Sequence, residues 1–237
     1  MLPKGSGRSP DLPFQKRIGK IVDKKRTIIF SNGEIGNINF YKKLIKKNNT
    51  IICADGGLKF AKKLGIKPDI LIGDFDSLKK SDFSGLNKNK TKVLKFPKEK
   101  DKTDTQLALE YALSSGAGEI IMLCSLGGRV DHMLANIHLL RLGIKKGIII
   151  KILDSSTEIR IISKSLDLKT AKGETISLLP FSEKVNGIYT EGLKYPLKNG
   201  TMILGIPYGI SNEAISSQVK IKIRSGLLLV IKNLKKV

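Results

Sequence analysis

Four aspartates arrive as two pairs, Asp74-Phe75-Asp76 and Asp101-Lys102-Thr103-Asp104, and each pair follows a short apolar run. The first run, Ile70-Leu71-Ile72-Gly73, reads as a buried strand that delivers acids to the rim of a sheet. In extended backbone, residues i and i+2 point the same way, so Asp74 and Asp76 are expected to face one site while Phe75 turns to the core. The second pair precedes a helix with Leu107, Ala108, Tyr111 and Ala112 on one face. Helix capping accounts for one of Asp101 and Asp104 but poorly for both. A third loop, Gly127-Gly128-Arg129-Val130-Asp131-His132, leaves the apolar run Glu119–Cys124. Acids gathered this way repel one another unless a cation offsets them, and oxygen ligands without Cys or His suit Mg²⁺. With glycine-rich turns and an arginine beside them, they describe a site for a nucleotide polyphosphate.

The same Asp-x-Asp admits a rival, a phosphohydrolase whose first aspartate is phosphorylated. Against it, this motif follows a third strand rather than a first, and Leu78 stands where Thr or Val is expected.

Positioning such groups takes alternating strands and helices. Arg26–Phe30, Thr50–Ala54, the Ile70–Gly73 run, Val93–Phe96, Glu119–Cys124 and Ile148–Leu153 read as strands, with helices after Asp55-Gly56-Gly57, after Asp104 and after His132. Ligands of open α/β sheets bind outside the carboxyl ends of the strands, where these loops lie. Asp55 serves either as the N-cap of the helix Leu58–Leu64 or as a ligand; Gly56 and Gly57 allow backbone to approach one closely. The loop Ser31–Asn37 is a phosphate cradle or a plain connection, and Lys79–Lys92 a polar one. From Ser155 onward short alternating runs take over, as in Glu158–Ile162 and Val219–Ile223, and indicate a small antiparallel β domain. The expected division is a basic, mobile lead-in over residues 1–26, an α/β domain over 27–154 and a β domain over 155–237.

Composition narrows the partners. With 43 basic against 21 acidic residues the formal charge is +22, which raises nucleic acid as a partner. Those charges are nearly all lysine, scattered without a run of five and with few aromatics, so no specific nucleic-acid partner is expected. No stretch is long enough for a membrane span, and the first 26 residues lack the apolar core of a secretory signal. Cys53 and Cys124 read as reduced buried thiols, so a cytoplasmic protein without a membrane partner is expected.

Taken together, Ala54-Asp55-Gly56-Gly57, Gly73–Ser77, Asp101–Asp104 and Gly127–His132 resemble the thiamine pyrophosphokinase family. Gly173–Pro180, Gly192–Leu197 and Ser211-Asn212-Glu213 extend the resemblance to the C-terminal part. It implies an α/β N-terminal domain with a mostly parallel sheet, then an all-β sandwich. It also implies ATP and thiamine as substrates, Mg²⁺ as cofactor and a homodimer with thiamine between subunits. Carried over by motif, Asp74, Asp76, Asp101 and Asp104 would hold Mg²⁺ and do the chemistry, with Asp74 or Asp101 taking the proton. Asp55, Gly56, Gly57, Lys102, Thr103, Gly128, Arg129 and Asp131 would meet the nucleotide, and Ser211 and Asn212 the thiamine. As the chain has no Trp, Phe or Tyr would have to stack on that ring.

Overall fold

The structure is a computed structural model and describes residues 26–87 and 89–234. The expected lead-in, apart from Arg26, lies outside the described residues. The N-terminal part carries strands β1 (Arg26–Phe30), β2 (Thr50–Ala54), β3 (Ile70–Gly73), β4 (Lys92–Lys95), β5 (Glu119–Leu123) and β6 (Ile149–Leu153), all paired in parallel. Their crossovers hold helices α1 (Ile38–Leu44), α2 (Gly57–Lys63), α3 (Asp104–Ser114), α4 (Val130–Leu139) and α5 (Arg141–Lys146).

The central strands are unbroken apolar runs because helices cover both faces. Ile29 and Met122 share one core with Leu107 and Ala108 of α3. Ile28, Phe30 and Ile121 share another with Tyr41 of α1 and with Leu58 and Ala61 of α2. At the sheet's edge, β4 keeps Lys92, Val93 and Lys95 exposed, and charged edge strands resist pairing with other chains.

Two connections are more structured than expected. The segment between β1 and β2 contains α1, started by Asn37, whose side chain accepts the Asn39 N–H. Only Tyr41 of its 7 residues is fully buried, too little apolar signal to reveal a helix. Between β3 and β4, a 3₁₀ turn at Lys80–Phe83 brings Phe83 edge-on to Phe75, with ring centroids 6.0 Å apart.

The C-terminal part is antiparallel throughout: β7 (Thr157–Ile162), β8 (Ser165–Lys169), β9 (Thr175–Pro180), β10 (Lys184–Glu191), β11 (Gly200–Ile203), β12 (Asn212–Glu213), β13 (Gln218–Lys222) and β14 (Leu228–Asn233). It is not hydrogen-bonded separately from the first part. β7 pairs with β6, making one 10-stranded sheet in the order β12-β9-β14-β7-β6-β5-β1-β2-β3-β4. A 4-stranded sheet, β11-β10-β13-β8, packs on its antiparallel end. Ile176, Leu178, Leu228 and Val230 of the large sheet meet Val185, Ile188, Val219 and Ile221 of the small one in a shared core. The α/β part and the sandwich thus use one sheet in common.

From β1, the first described strand, the path moves outward through β2, β3 and β4, then returns to β5 on the other side of β1. That reversal parts the loops above β1 and β5 and leaves a crevice between them, where ligands of such sheets bind. No helix among the described residues is long and apolar enough to cross a membrane. Both cysteines are free and buried.

Candidate active site

A cavity of about 400 Å³ opens above the β1/β5 reversal. Asn32 and Gly33 after β1, Asp55 after β2, and Ser125, Gly128 and Arg129 after β5 form part of its wall. The loop from β4 to α3 supplies Lys98, Lys100, Lys102, Thr103 and Asp104.

Three carboxylates converge here. Asp55, Asp74 and Asp104 each place an oxygen within 4.8 Å of the others. The local backbone explains the approach of the first two. Asp55 takes φ +43°, a left-handed conformation that Asp tolerates better than most residues, and its N–H donates to the Ile72 carbonyl at 2.8 Å. Gly73, at φ +154°, passes so close that a Cβ there would lie 3.1 Å from that of Asp55. A side chain at this point would force the Gly73 and Asp55 backbones apart by a few tenths of an ångström. Asp104 comes from the first turn of α3, whose N-cap is Thr103: its hydroxyl accepts the Gln106 N–H at 3.1 Å. With the cap supplied by Thr103, the Asp104 carboxylate is left to face the cavity.

One ammonium answers this cluster. Lys100 Nζ donates to Asp74 Oδ2 at 2.9 Å and to the Pro97 carbonyl at 3.0 Å. It lies 3.1 Å from Asp104 Oδ1, near enough to pair charge but not aligned as a hydrogen bond. Burial raises the Asp74 carboxyl, but the Lys100 hydrogen bond, the Asp76 N–H and the Lys100 charge outweigh it and hold the group below the ordinary carboxylate range. At Asp104 burial wins over Lys100, and with repulsion from Asp74 and Asp55 it holds that carboxyl above its ordinary value. Asp55 is 8% exposed and its Oδ1 has no hydrogen-bond partner. A buried carboxylate oxygen without a donor is costly, and a cation among the three carboxylates removes the cost. The donor set is all oxygen, which suits Mg²⁺.

The other expected site residues fall in several places. Asp76 is exposed and pairs with Lys98 at 2.8 Å. Phe75 departs from extended backbone at φ +67° and packs into the core, so the same-side argument for Asp74 and Asp76 does not apply. Asp101 is exposed and outside the three-carboxylate group. Lys102 lines the cavity and pairs with Glu110 at 2.9 Å. Arg129 stands at the mouth, hydrogen-bonded through Nε to Asp131 at 3.1 Å. The Gly128 N–H donates to Glu34 at 3.0 Å. Gly56 and Gly57 sit behind the wall as packing glycines. A Cβ on Gly57 would meet the Phe30 carbonyl oxygen at 2.1 Å, and one on Gly56 the Asn32 side chain at 2.2 Å.

Ser211 and Asn212 lie far away, at β12 on the opposite end of the large sheet. Ser211 is left-handed at φ +61°, and its N–H donates to Ser177 Oγ at 3.0 Å. Exposed Tyr195, Ile206, Tyr208, Ile210 and Ile215 accompany them.

Asn32 and Gly33 come from the Ser31–Asn37 loop, which the sequence offers as a phosphate cradle or a plain connection, whereas Lys100, Ser125 and Asn136 are not anticipated. For Lys100 a signal exists: Lys98, Lys100 and Lys102 alternate through the acid loop, one against each nearby acid group. Asn136 carries none. It is buried on α4 and donates to the Ser125 carbonyl at 2.9 Å, a contact made by folding alone.

Residues 41–152 match the family described as thiamin pyrophosphokinase, catalytic domain, and residues 158–228 match its vitamin B1 binding domain. The chain belongs to the thiamine pyrophosphokinase family. Thiamine pyrophosphokinase of Bacillus subtilis (strain 168) is 35% identical over 171 residues, 71% of this chain and 80% of that protein. A crystal structure of thiamine pyrophosphokinase from Bacillus subtilis superposes with TM-score 0.81 at 30% identity, covering 90% of this chain and 100% of that one. One from Geobacillus thermodenitrificans gives 0.77 at 27% identity, covering 89% and 98%. The thiamine pyrophosphokinase match thus takes in both the carboxylate cavity and the β12 edge.

Proposed function

We propose that this chain transfers the diphosphate of ATP intact to the hydroxyethyl oxygen of thiamine, releasing AMP. The observation that carries the reading is the convergence of Asp55, Asp74 and Asp104 beside a cavity rimmed by Lys98, Lys102 and Arg129. Three acids facing three cations is the arrangement a metal-bound polyphosphate needs, since it carries both signs of charge.

In this account Asp55, Asp74 and Asp104 hold Mg²⁺, which when bound supplies positive charge that lowers the repulsion between polyphosphate and nucleophile. Asp76 and Asp101 are exposed and lie outside this group. Lys98, Lys102 and Arg129 bind the phosphate oxygens, and Arg129 leaves Asp131 to do so. The thiamine hydroxyl attacks the β-phosphorus, a new O–P bond forms, and the bond to the α,β-bridging oxygen breaks so that this oxygen departs with AMP. The hydroxyl proton passes to an aspartate. Asp74 is engaged with the metal in this account, so Asp101, which lies outside the three-carboxylate group, takes this role.

Thiamine needs the second site. Ser211 and Asn212 are seven strand positions from β2 in the large sheet, roughly 30 Å at the usual strand spacing. One thiamine cannot span that gap, so a second copy of the chain brings its carboxylates to this β12 edge. The exposed Tyr195, Ile206, Tyr208, Ile210 and Ile215 supply an apolar surface for such a homodimer. Tyr195 or Tyr208 offers the ring for stacking that the absent Trp would otherwise give. A cytoplasmic location belongs to the same reading and agrees with two free buried thiols.

The test is a panel of alcohols incubated with protein, ATP and Mg²⁺, with thiamine, a hydroxymethylpterin and water as acceptors. Turnover confined to thiamine supports the proposal. Preference for the pterin transfers the chemistry to another alcohol, and turnover with water alone makes the protein a hydrolase.

A further inference from the structure

We propose that Lys100 is a resident counter-ion of the carboxylate cluster, held where a divalent cation binds and exchanged for it. The inference rests on Asp55, Asp74 and Asp104 being the metal ligands and goes beyond that reading to a residue that competes with the metal.

Position sets Lys100 apart from its neighbours. The side chains of Lys98 and Lys102 are 76% and 32% exposed and pair with acids at the edge of the site, Asp76 and Glu110. The Lys100 side chain is only 14% exposed and points between two members of the cluster. Its contacts are Asp74 Oδ2 at 2.9 Å, Asp104 Oδ1 at 3.1 Å and the Pro97 carbonyl at 3.0 Å. A long cationic side chain loses rotamer freedom and hydration there, which only strong local negative charge offsets.

The compensation is incomplete, and this makes Lys100 exchangeable. One ammonium brings one positive charge to three carboxylates, and it leaves Asp55 Oδ1 buried without a partner. A divalent cation brings two charges and can be reached by all three acids. Both cations draw on the carboxylates of Asp74 and Asp104, and repulsion between them prevents joint occupancy. Lys100 therefore keeps the acids gathered and folded before metal arrives, and lowers the apparent metal affinity by the work of displacing it. Once displaced, its ammonium remains on a wall lined by Lys98 and Lys102, within reach of polyphosphate oxygens.

The test uses the full chain without nucleotide. Mn²⁺ binding is measured by the loss of free-ion paramagnetic resonance signal for the wild type, Lys100→Met and Asp104→Asn, and melting is followed in chelator and in excess Mg²⁺. The proposal expects Lys100→Met to bind Mn²⁺ about tenfold more tightly than the wild type, the worth of one charged hydrogen bond. It also expects a lower melting temperature in chelator, with a larger rise on adding Mg²⁺. Equal or weaker Mn²⁺ binding by Lys100→Met, while Asp104→Asn abolishes it, overturns the counter-ion role and leaves the metal site standing. Absence of Mn²⁺ binding by the wild type overturns both. Should Lys100→Met not fold in chelator, Lys100→Gln, which keeps a hydrogen-bond donor, serves for the same comparison.

Discussion

Asn212 commits its side-chain amide to the backbone of Tyr195: Nδ2 donates to the Tyr195 carbonyl at 2.7 Å, and Oδ1 accepts the Tyr195 N–H at 3.1 Å. The pair fastens the exposed Tyr195 to the β12 edge. Asn212→Ala is expected to cost about 1–3 kcal/mol, the range for losing such hydrogen bonds, and to raise KM for thiamine by loosening Tyr195. Ser211→Ala leaves the Ser211 N–H bond to Ser177 in place, so it should raise KM for thiamine with little change in urea midpoint. Effects confined to ATP would remove both residues from the thiamine pocket.

The carboxylates form a ranking. Asp55→Asn and Asp104→Asn remove members of the three-acid group and are expected to lower kcat by at least about a hundredfold. Neither should destabilise the metal-free protein, because each relieves repulsion between like charges. Asp76→Asn, at an exposed side chain paired with Lys98, should lose less. Steady-state rates at saturating Mg²⁺ check the order, and a greater loss at Asp76 than at Asp55 would contradict it.

Two glycines separate packing from ligand handling. Gly57→Ala sets a Cβ against the Phe30 carbonyl at 2.1 Å, an overlap expected to cost about 1–3 kcal/mol in urea unfolding. Gly128→Ala meets open space but holds φ +66°, so it should cost roughly 1–2 kcal/mol of backbone strain and also raise KM for ATP. Equal stability of Gly57→Ala and wild type would place α2 wrongly against β1.

Glu119 lends the sheet an acid-sensitive tie. Burial raises its carboxyl, but the ion pair with Lys151 at 2.9 Å and the charged hydrogen bond from Arg26 at 2.7 Å prevail and hold it below the ordinary glutamate value. A depressed folded value means stability that is full above the unfolded value and is lost as pH falls through the folded one. The stability gap between wild type and Glu119→Gln should therefore be largest near neutrality and shrink as pH drops below about 4.3. Melting curves across that window check it; a gap that widens on acidification has the wrong sign.

Much of the α/β half is legible in the residues. The spans of β1 and β2 follow from apolar runs closed by turn residues, and the acid loops lie at strand ends as the pattern requires. Other features depend on partners distant in the chain. Alternation marks Glu158–Ile162 as a strand but cannot show that it pairs with β6 and extends the N-terminal sheet. Asp55 admits two readings in the sequence, cap or ligand. The structure removes the cap, because Gly56 is the N-cap position of α2 and no side chain caps it, and it sets the Asp55 carboxylate beside those of Asp74 and Asp104. Asp74 and Asp76 look equivalent by spacing and are separated only by the left-handed turn at Phe75.

The central claim is that these carboxylates serve intact diphosphate transfer from ATP to thiamine. Phosphorus NMR of a reaction with ATP, Mg²⁺ and thiamine, run with wild type and with Asp104→Asn, tests it most directly. The account predicts AMP and thiamine diphosphate rising together in equal amounts for the wild type, without ADP, and neither product at a comparable rate for the variant. Accumulation of ADP with thiamine monophosphate, or undiminished turnover by Asp104→Asn, would contradict it.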